Sequence, residues 1–316
     1  MTVARCNYCR KSDAAPLFPG MERNSTCDER FEVVQCNNCG LVFTYPQATE
    51  EQLAEVYDEL YYGKENIRFV GIIENFIHFL LRFRIRRILP YVSKGSILEI
   101  GCGRGDFLYE LKKIGWDIHG NEISELSAQK AKKLLGDRII IGSINEKFEN
   151  SFFDVVIIYH VLEHLPDPME TLKEIARIIK KDGLLLIAVP NMDSILAKIF
   201  KTCWFGFGMA ENNYYFSRKT LGNYLSKTGF LITKERHFSL EHDPFGALQS
   251  MLNLLDENDN YLYNRLRASS WGEGHHLRNI LTIAGGTLLF PIAFLLSLYG
   301  ALTKQSTTLE VYARKV

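Results

Sequence analysis

Residues 97–106 read Ile97-Leu98-Glu99-Ile100-Gly101-Cys102-Gly103-Arg104-Gly105-Asp106, and their reading decides the fold. Ile97, Leu98 and Ile100 make a short apolar strand with Glu99 near its end. Gly101, Gly103 and Gly105 follow as a turn in which backbone can approach a ligand with no Cβ in the way. Phe107, Leu108, Leu111 and Ile114 then recur at the spacing of one helix face. Strand, glycine turn and helix together build a nucleotide-type site. A dinucleotide fingerprint needs glycine at the last position of G-x-G-x-x-G, where this chain has Asp106. An acid inside the strand has no role beside a pyrophosphate. It suits a ligand that carries a cationic amino-acid group.

The pattern continues outward in both chemistry and period. Residues 116–122 read as a second strand ending in Glu122, 17 residues after Gly105, where a carboxylate can accept two hydrogen bonds from ribose hydroxyls. A helix from Ser124 to Leu135, a third strand from Arg138 to Ile141, and Gly142-Ser143-Ile144 come next. Phe153 to Tyr159 is a fourth, buried strand, continued by His160-Val161-Leu162-Glu163-His164-Leu165-Pro166-Asp167-Pro168. A helix from about Met169 to Lys180, a turn at Asp182-Gly183 and a fifth strand from Leu184 to Val189 close on Pro190-Asn191.

From about 93 to 237 the chain resembles the class I S-adenosylmethionine-dependent methyltransferases. The resemblance rests on the E-x-G-x-G-x-G loop, the acid Glu122, the F-D-V-V strand, the H-V-L-E-H-L-P-D-P run and the D-G-x-L-x-I-x-V-P-N strand, in the family's order. It implies an α/β, Rossmann-like seven-stranded sheet with helices on both faces. In the family the seventh strand is antiparallel and pairs with the sixth; Leu309 to Ala313 fits the seventh and Phe230 to His237 the sixth. The resemblance also implies S-adenosyl-L-methionine as cofactor. Glu99, Gly101, Gly103 and Gly105 would hold its methionine end, Glu122 the ribose, Ser143 and Ile144 would lie near adenine, and His160 would border the site.

Composition sets the outer limits. The 316 residues carry 37 basic and 37 acidic side chains, so bulk charge gives no attraction to nucleic acid. Met1 to Cys9 lacks the apolar core of a signal peptide. Seven cysteines without an export signal point to a reducing, cytosolic compartment. Cys6-x-x-Cys9 and Cys36-x-x-Cys39 form two knuckles 26 residues apart that could complete a tetrahedral thiolate site for zinc. Residues 1–46 thus read as a zinc ribbon with Cys27 spare, 47–92 as a helical connector, and 93–316 as the methyltransferase domain. Thr49-Glu50-Glu51-Gln52 is a capping box opening a helix through Leu60. Arg82, Arg84, Arg86 and Arg87 crowd the end of a helix from about Gly71 to Leu89, read as a solvated cationic end or as a contact for anionic lipid or phosphate.

In open α/β sheets the ligand lies outside the carboxyl ends of the strands. That rule directs His160, Glu163, His164 and Asn191 toward the reacting methyl. His160 is the candidate general base, with Glu163 or His164 supporting it. Related quinone and RNA O-methyltransferases carry E-x-x-E-H here. His160 replaces the first glutamate, so His160, Glu163 and His164 as a Mg²⁺ site is the weaker alternative. Glu163 and His164 could instead only cap the following helix.

The acceptor reads as a hydroxyl or activated carbon on a small molecule: a sugar, a glycolipid or a polyprenyl-linked glycan. RNA methylation guided by the ribbon and a non-catalytic binding protein are the alternatives. Residues 238–306 form an apolar helical insertion, too long for a hairpin loop. Within it Ile280 to Thr303 holds no charge. Gly285-Gly286 and Pro291 interrupt that run and suggest a bent or hairpin element. It either covers the protein's own core or a dimer partner, or docks on the inner face of a membrane.

Overall fold

The computed structural model describes residues 4–18, 31–48, 71–92, 94–208, 211–255, 260–266 and 276–316, with side chains from 79 onward in the third of these segments. The capping box at 49–52, its helix and Cys27 lie outside the described residues.

Along the chain, strands β1 (Ala14–Pro16), β2 (Glu32–Cys36) and β3 (Val42–Tyr45) come first. Helix α1 (Gly71–Ile88) then leads to β4 (Ser96–Ile100). The glycine turn opens α2 (Asp106–Lys113). Strand and helix alternate through β5 (Asp117–Glu122), α3 (Glu125–Leu135), β6 (Ile139–Ile141), β7 (Phe153–Tyr159), α4 (Pro168–Ile178) and β8 (Ile179–Pro190). Next are α5 (Ile195–Phe200), β9 (Tyr214–Tyr215), α6 (Arg218–Lys227) and β10 (Phe230–Arg236). Helices α7 (Asp243–Asn253), α8 (Tyr261–Leu266) and α9 (His276–Leu302) precede β11 (Thr308–Lys315).

Helix starts follow local chemistry. Ser124 Oγ accepts from the Ser127 N–H to begin α3. Asp167 accepts from Met169 and Glu170, with Pro168 preset in the first turn of α4. Ser217 and Thr220 exchange hydroxyl and backbone hydrogen bonds at the start of α6.

The contacts divide the chain into two compact units. One comprises Met1–Val70, Pro190–Leu221 and Arg236–Leu309; the other Gly71–Val189, Gly222–Glu235 and Glu310–Val316. The first unit draws together segments that the sequence reading assigned to separate domains. Its four-stranded sheet has the order β1-β2-β3-β9. Val42 and Phe43 pair with Tyr215 and Tyr214, so a two-residue strand far along the chain completes the cysteine-bearing sheet. A second apolar cluster in this unit gathers Phe200, Trp204, Leu248, Leu252, Leu262 and Ala293 from α5, α7, α8 and α9.

The other unit carries the seven-stranded sheet, ordered β10-β11-β8-β7-β4-β5-β6. β4 runs parallel to β5 and to β7, β5 to β6, and β7 to β8. Val316 N–H donates to Gly229 O and Thr233 Oγ1 to Tyr312 O. These contacts advance in opposite directions along the chain, so β11 is antiparallel to β10. All five residues of β4 are buried, as expected of a parallel strand covered on both faces. Leu81, Ile85 and Ile88 of α1 and Phe107, Leu108 and Leu111 of α2 belong to the core cluster that covers it.

Two local expectations change. β8 begins at Ile179 instead of Leu184, because Ile179 is already extended where α4 ends. Asp182 is carried inside the strand at φ +59, with a register shift opposite Phe153 and Val155. The hairpin expected within 280–303 is one continuous helix, α9, with Pro291 inside it. Gly285 and Gly286 do not break it. They bring α9 close to Leu252 on α7, and to Leu248 on α7 and Leu262 on α8.

Candidate active site

The carboxyl ends of β4, β5 and β7 lie side by side, and the loops that follow them carry the candidate residues. Gly101, Gly103 and Gly105 all have positive φ, at +71, +54 and +81. A Cβ on Gly101 would stand 2.4 Å from Val161 Cγ2, and one on Gly105 would stand 2.9 Å from Leu135 Cδ1. Nothing lies within 4 Å of the corresponding point on Gly103, so the middle glycine leaves the open space that a close-lying ligand needs. The turn is tied down by the N–H groups of Gly101 and Cys102, both donating to Asn121 O.

Glu122 ends β5 with both carboxylate oxygens engaged. Oε2 accepts from the Gly103 N–H at 2.8 Å and Oε1 from the Ser124 N–H at 2.9 Å. A carboxylate has about four acceptor positions, so two remain for hydroxyls of a ligand. Burial pushes its pKa up, while the Ser124, Gly103 and Ile123 N–H groups oppose that shift. Asn121 was not foreseen: its Nδ2 donates to Gly142 O at 2.6 Å, linking the glycine turn to the loop after β6. In that loop Ile144 is buried, and Ser143 Oγ accepts from the Asn145 N–H.

Glu99 is buried, and its Oε2 has no hydrogen-bond partner among the described residues. Burial pushes its carboxyl up to about 8; Arg84 pulls the other way, and Asp106 and Glu122 add to the rise. Sequence reading had placed Arg84 in a solvated or lipid-facing cluster. Its guanidinium instead stacks at 3.7 Å over Tyr159, buried. Arg87 pairs with Glu310 at 3.7 Å. The periodicity holds the missed signal, since Arg84 shares the buried face of α1 with Leu80, Leu81, Ile85 and Ile88.

His160 and Glu163 meet. His160 Nδ1 lies 3.3 Å from Glu163 Oε1, and Glu163 is buried with its Oε2 lacking a partner among the described residues. The His160 N–H donates to Ala188 O, and its φ is +53, a left-handed value that histidine adopts at a cost. Since Asp167 caps α4, Glu163 and His164 are not the cap of that helix. The His164 N–H donates to Val161 O, within the loop. Among the described residues, the only convergent set of three or more metal-type donors is the four cysteines, so His160, Glu163 and His164 are not gathered as a cation site. Asn191 belongs to the first unit; its Nδ2 donates to Ser306 O and its Oδ1 accepts from the Asp193 N–H, so it frames a loop.

The Sγ atoms of Cys6, Cys9, Cys36 and Cys39 lie within 4.8 Å of one another, with Cys6–Cys39 and Cys9–Cys36 each at 3.5 Å. Four sulfurs at ~2.3 Å around tetrahedral zinc stand about 3.8 Å apart, so the donor set fits that ion. Burial holds the Cys6 thiol well above its ordinary value and raises Cys39 to about 11. Cys9 is lowered to about 7, hydrogen bonds from Lys11 N–H and Cys36 outweighing its burial.

Residues 73–235, just over half of the chain, match the sequence family described as "Methyltransferase domain". The chain belongs to this family and is an S-adenosylmethionine-dependent methyltransferase. A demethylmenaquinone methyltransferase of Staphylococcus saprophyticus is 28% identical over 167 residues, 50% of this chain and 70% of that protein. A ubiquinone biosynthesis O-methyltransferase of Bradyrhizobium diazoefficiens is 25% identical over 174 residues, 51% of this chain and 68% of that one. Among solved structures, a SAM-dependent methyltransferase from Archaeoglobus fulgidus aligns with a TM-score of 0.48 at 18% identity, covering 83% of this chain and 99% of that one.

The raised Glu99 carboxyl gives a pH test of a cofactor-binding role for this residue. In the role proposed for it below, Glu99 would have to be ionised to receive an ammonium group, while burial pushes its carboxyl up to about 8. Calorimetry should then find Kd falling as the pH rises from about 6 toward 8, with proton release on binding, and rising again above as the ligand's own α-ammonium group (ordinarily about 7.7–8.0) deprotonates. Glu99→Gln should weaken binding and flatten this profile. A wild-type Kd independent of pH over that range would show that Glu99 does not meet the charge. In the ligand-free protein the same shift favours the fold at low pH. Glu99's contribution is full below its ordinary value of 4.5 and is lost as the pH rises through about 8.

Proposed function

We propose that this methyltransferase transfers a methyl group to a hydroxyl or activated carbon of a small-molecule acceptor, with His160 as general base. The observation that carries this reading is the hydrogen bond between His160 Nδ1 and Glu163 Oε1. With Nδ1–H donating to the carboxylate, the lone pair of the neutral ring resides on Nε2, which can take the acceptor's proton. S-adenosylmethionine, when bound, supplies a methyl carbon on a positively charged sulfur that leaves with the electrons of the breaking bond. As the acceptor's proton passes to His160, its oxygen or carbon forms the new bond to that methyl. Glu99 would receive the cofactor's ammonium group, Glu122 its ribose hydroxyls, and the Ser143-Ile144 loop would border its base. Catalysis then depends mainly on alignment and one proton transfer.

The acceptor class we favour is a sugar, a glycolipid or a polyprenyl-linked glycan. The names of the staphylococcal and bradyrhizobial relatives support a quinone-type ring as the second reading, and such rings offer the same two kinds of nucleophile. Balanced charge argues against RNA. Mass spectrometry of glycans, lipids and quinones from cells with and without the gene tests this: one glycan or lipid species should lose a methyl group with the gene. Loss confined to a quinone selects the second reading, and loss confined to RNA nucleosides defeats both. The zinc ribbon completes the proposal as a packing or substrate-facing module.

A further inference from the structure

In α9 the usual sorting of side chains is inverted. The residues it buries are Asn279, Gly286, Ala293, Ser297 and Gly300, all small or polar. Four of them recur every seventh residue and form one narrow stripe. The opposite side presents Leu281, Leu288, Leu295 and Leu302, of which Leu288 is 77% and Leu302 85% exposed. A helix in water hides its large apolar side chains and shows polar ones. Small residues at the helix contact and large apolar ones outward is the arrangement of helices that face lipid.

A second protein surface fits this face poorly. Ile283 and Phe290 are also about half exposed. At 100° per residue the exposed apolar side chains spread over roughly 200° of the circumference. One partner helix covers a seam about half as wide. The leucine row also lacks the flanking charges that set register in helix pairs, since Ile280 to Thr303 contains none. The nearest cations stand at the two ends, Arg278 and Lys304.

We propose that α9 seats this protein on a lipid bilayer, embedded from one side without crossing it. Its 27 residues could span the hydrocarbon layer by length alone. Yet the chain leaves the seven-stranded sheet at β10 and re-enters it at β11, so any crossing must be undone before Thr308. Among the described residues no second helix is long and apolar enough to do so; α7, with 11 residues, reaches about 16 Å. α7 packs against the buried side of α9, at Gly285 and Gly286, and its buried polar groups are satisfied within the unit, Gln249 by Asn253 and Ser250 by Gly246 O. The proposal is independent of the acceptor and of His160.

Flotation of the full chain with mixed phosphatidylcholine and phosphatidylglycerol vesicles tests it. The wild-type protein should float at low and at high salt, because apolar insertion is not screened. Leu288→Lys with Leu295→Lys should lower vesicle binding on the order of a hundredfold or more. Leu302→Lys, at the helix end beside Lys304, should lower it less. All three side chains are exposed, and unchanged protease resistance and circular dichroism would show that the variants fold. Wild-type protein that stays with the unbound fraction overturns the proposal. So does a vesicle-free dimer that Leu288→Lys and Leu295→Lys dissociate, which would assign the face to a second copy. Flotation lost at high salt overturns it as well, leaving only charge attraction.

Discussion

His160→Ala should lower the rate of methyl transfer by about 10²–10⁴, the usual cost of removing a general base. The loss should fall on turnover, with the fold intact. A second substitution separates chemistry from structure. His160 sits at φ +53, which costs a non-glycine residue about 1–3 kcal/mol. His160→Gly should therefore leave thermal stability unchanged or raised while removing activity just as fully. Full turnover by either variant with the true acceptor would exclude His160 as the base. Activity that disappears with a chelator and returns with Mg²⁺ would move the role to a metal ion.

The second large effect is expected at the cysteines. Elemental analysis should find one zinc ion per chain, held by Cys6, Cys9, Cys36 and Cys39. Small zinc modules draw about 10–16 kcal/mol of apparent folding free energy from the metal at neutral pH. Stripping it, or replacing Cys36 with serine, should open the β1–β3 sheet to protease while the unit holding Glu99 and Glu122 still binds cofactor. Acid should release the ion as the thiolates take up protons. A metal-free protein whose four cysteines are joined in disulfides would refute the assignment.

Much of the unit that carries the seven-stranded sheet was legible because its signals are local and periodic. The strand read as Phe153 to Tyr159 has those same bounds in the structure, since a continuous apolar run between turn signals is unambiguous once a glycine loop sets the fold. The Glu163–His160 pair was legible for the same reason, being three residues apart on one loop. What escaped notice depends on distant partners. β9 is two residues long and owes its existence to pairing with β3, about 170 residues earlier by register; two tyrosines carry no period. Asn121, in β5, carried no local signal, because its partner Gly142 lies in the loop after β6. Arg84 was hidden by its neighbours, since a run of arginines reads as a surface until its helical phase is compared with the leucines beside it. Gly285-Gly286 and Pro291 were read as breaks by residue type, although close packing against α7 and α8 is what the glycines allow.

The position of β11 between β8 and β10 sets an order of events during synthesis. Strands β4 to β8 can pair as soon as they are made, but the gap beside β8 closes only when Thr308 to Lys315 has been translated. By then every residue of α9 has already been polymerised, because it precedes β11 in the chain. A nascent chain ending before Thr308 thus presents an unpaired edge on β8, a detached β10 and a fully formed stretch of apolar sequence at the same time. Such edges and apolar runs are what chaperones and targeting factors recognise on incomplete chains. Completion of the sheet therefore follows the moment at which the apolar helix must find its environment.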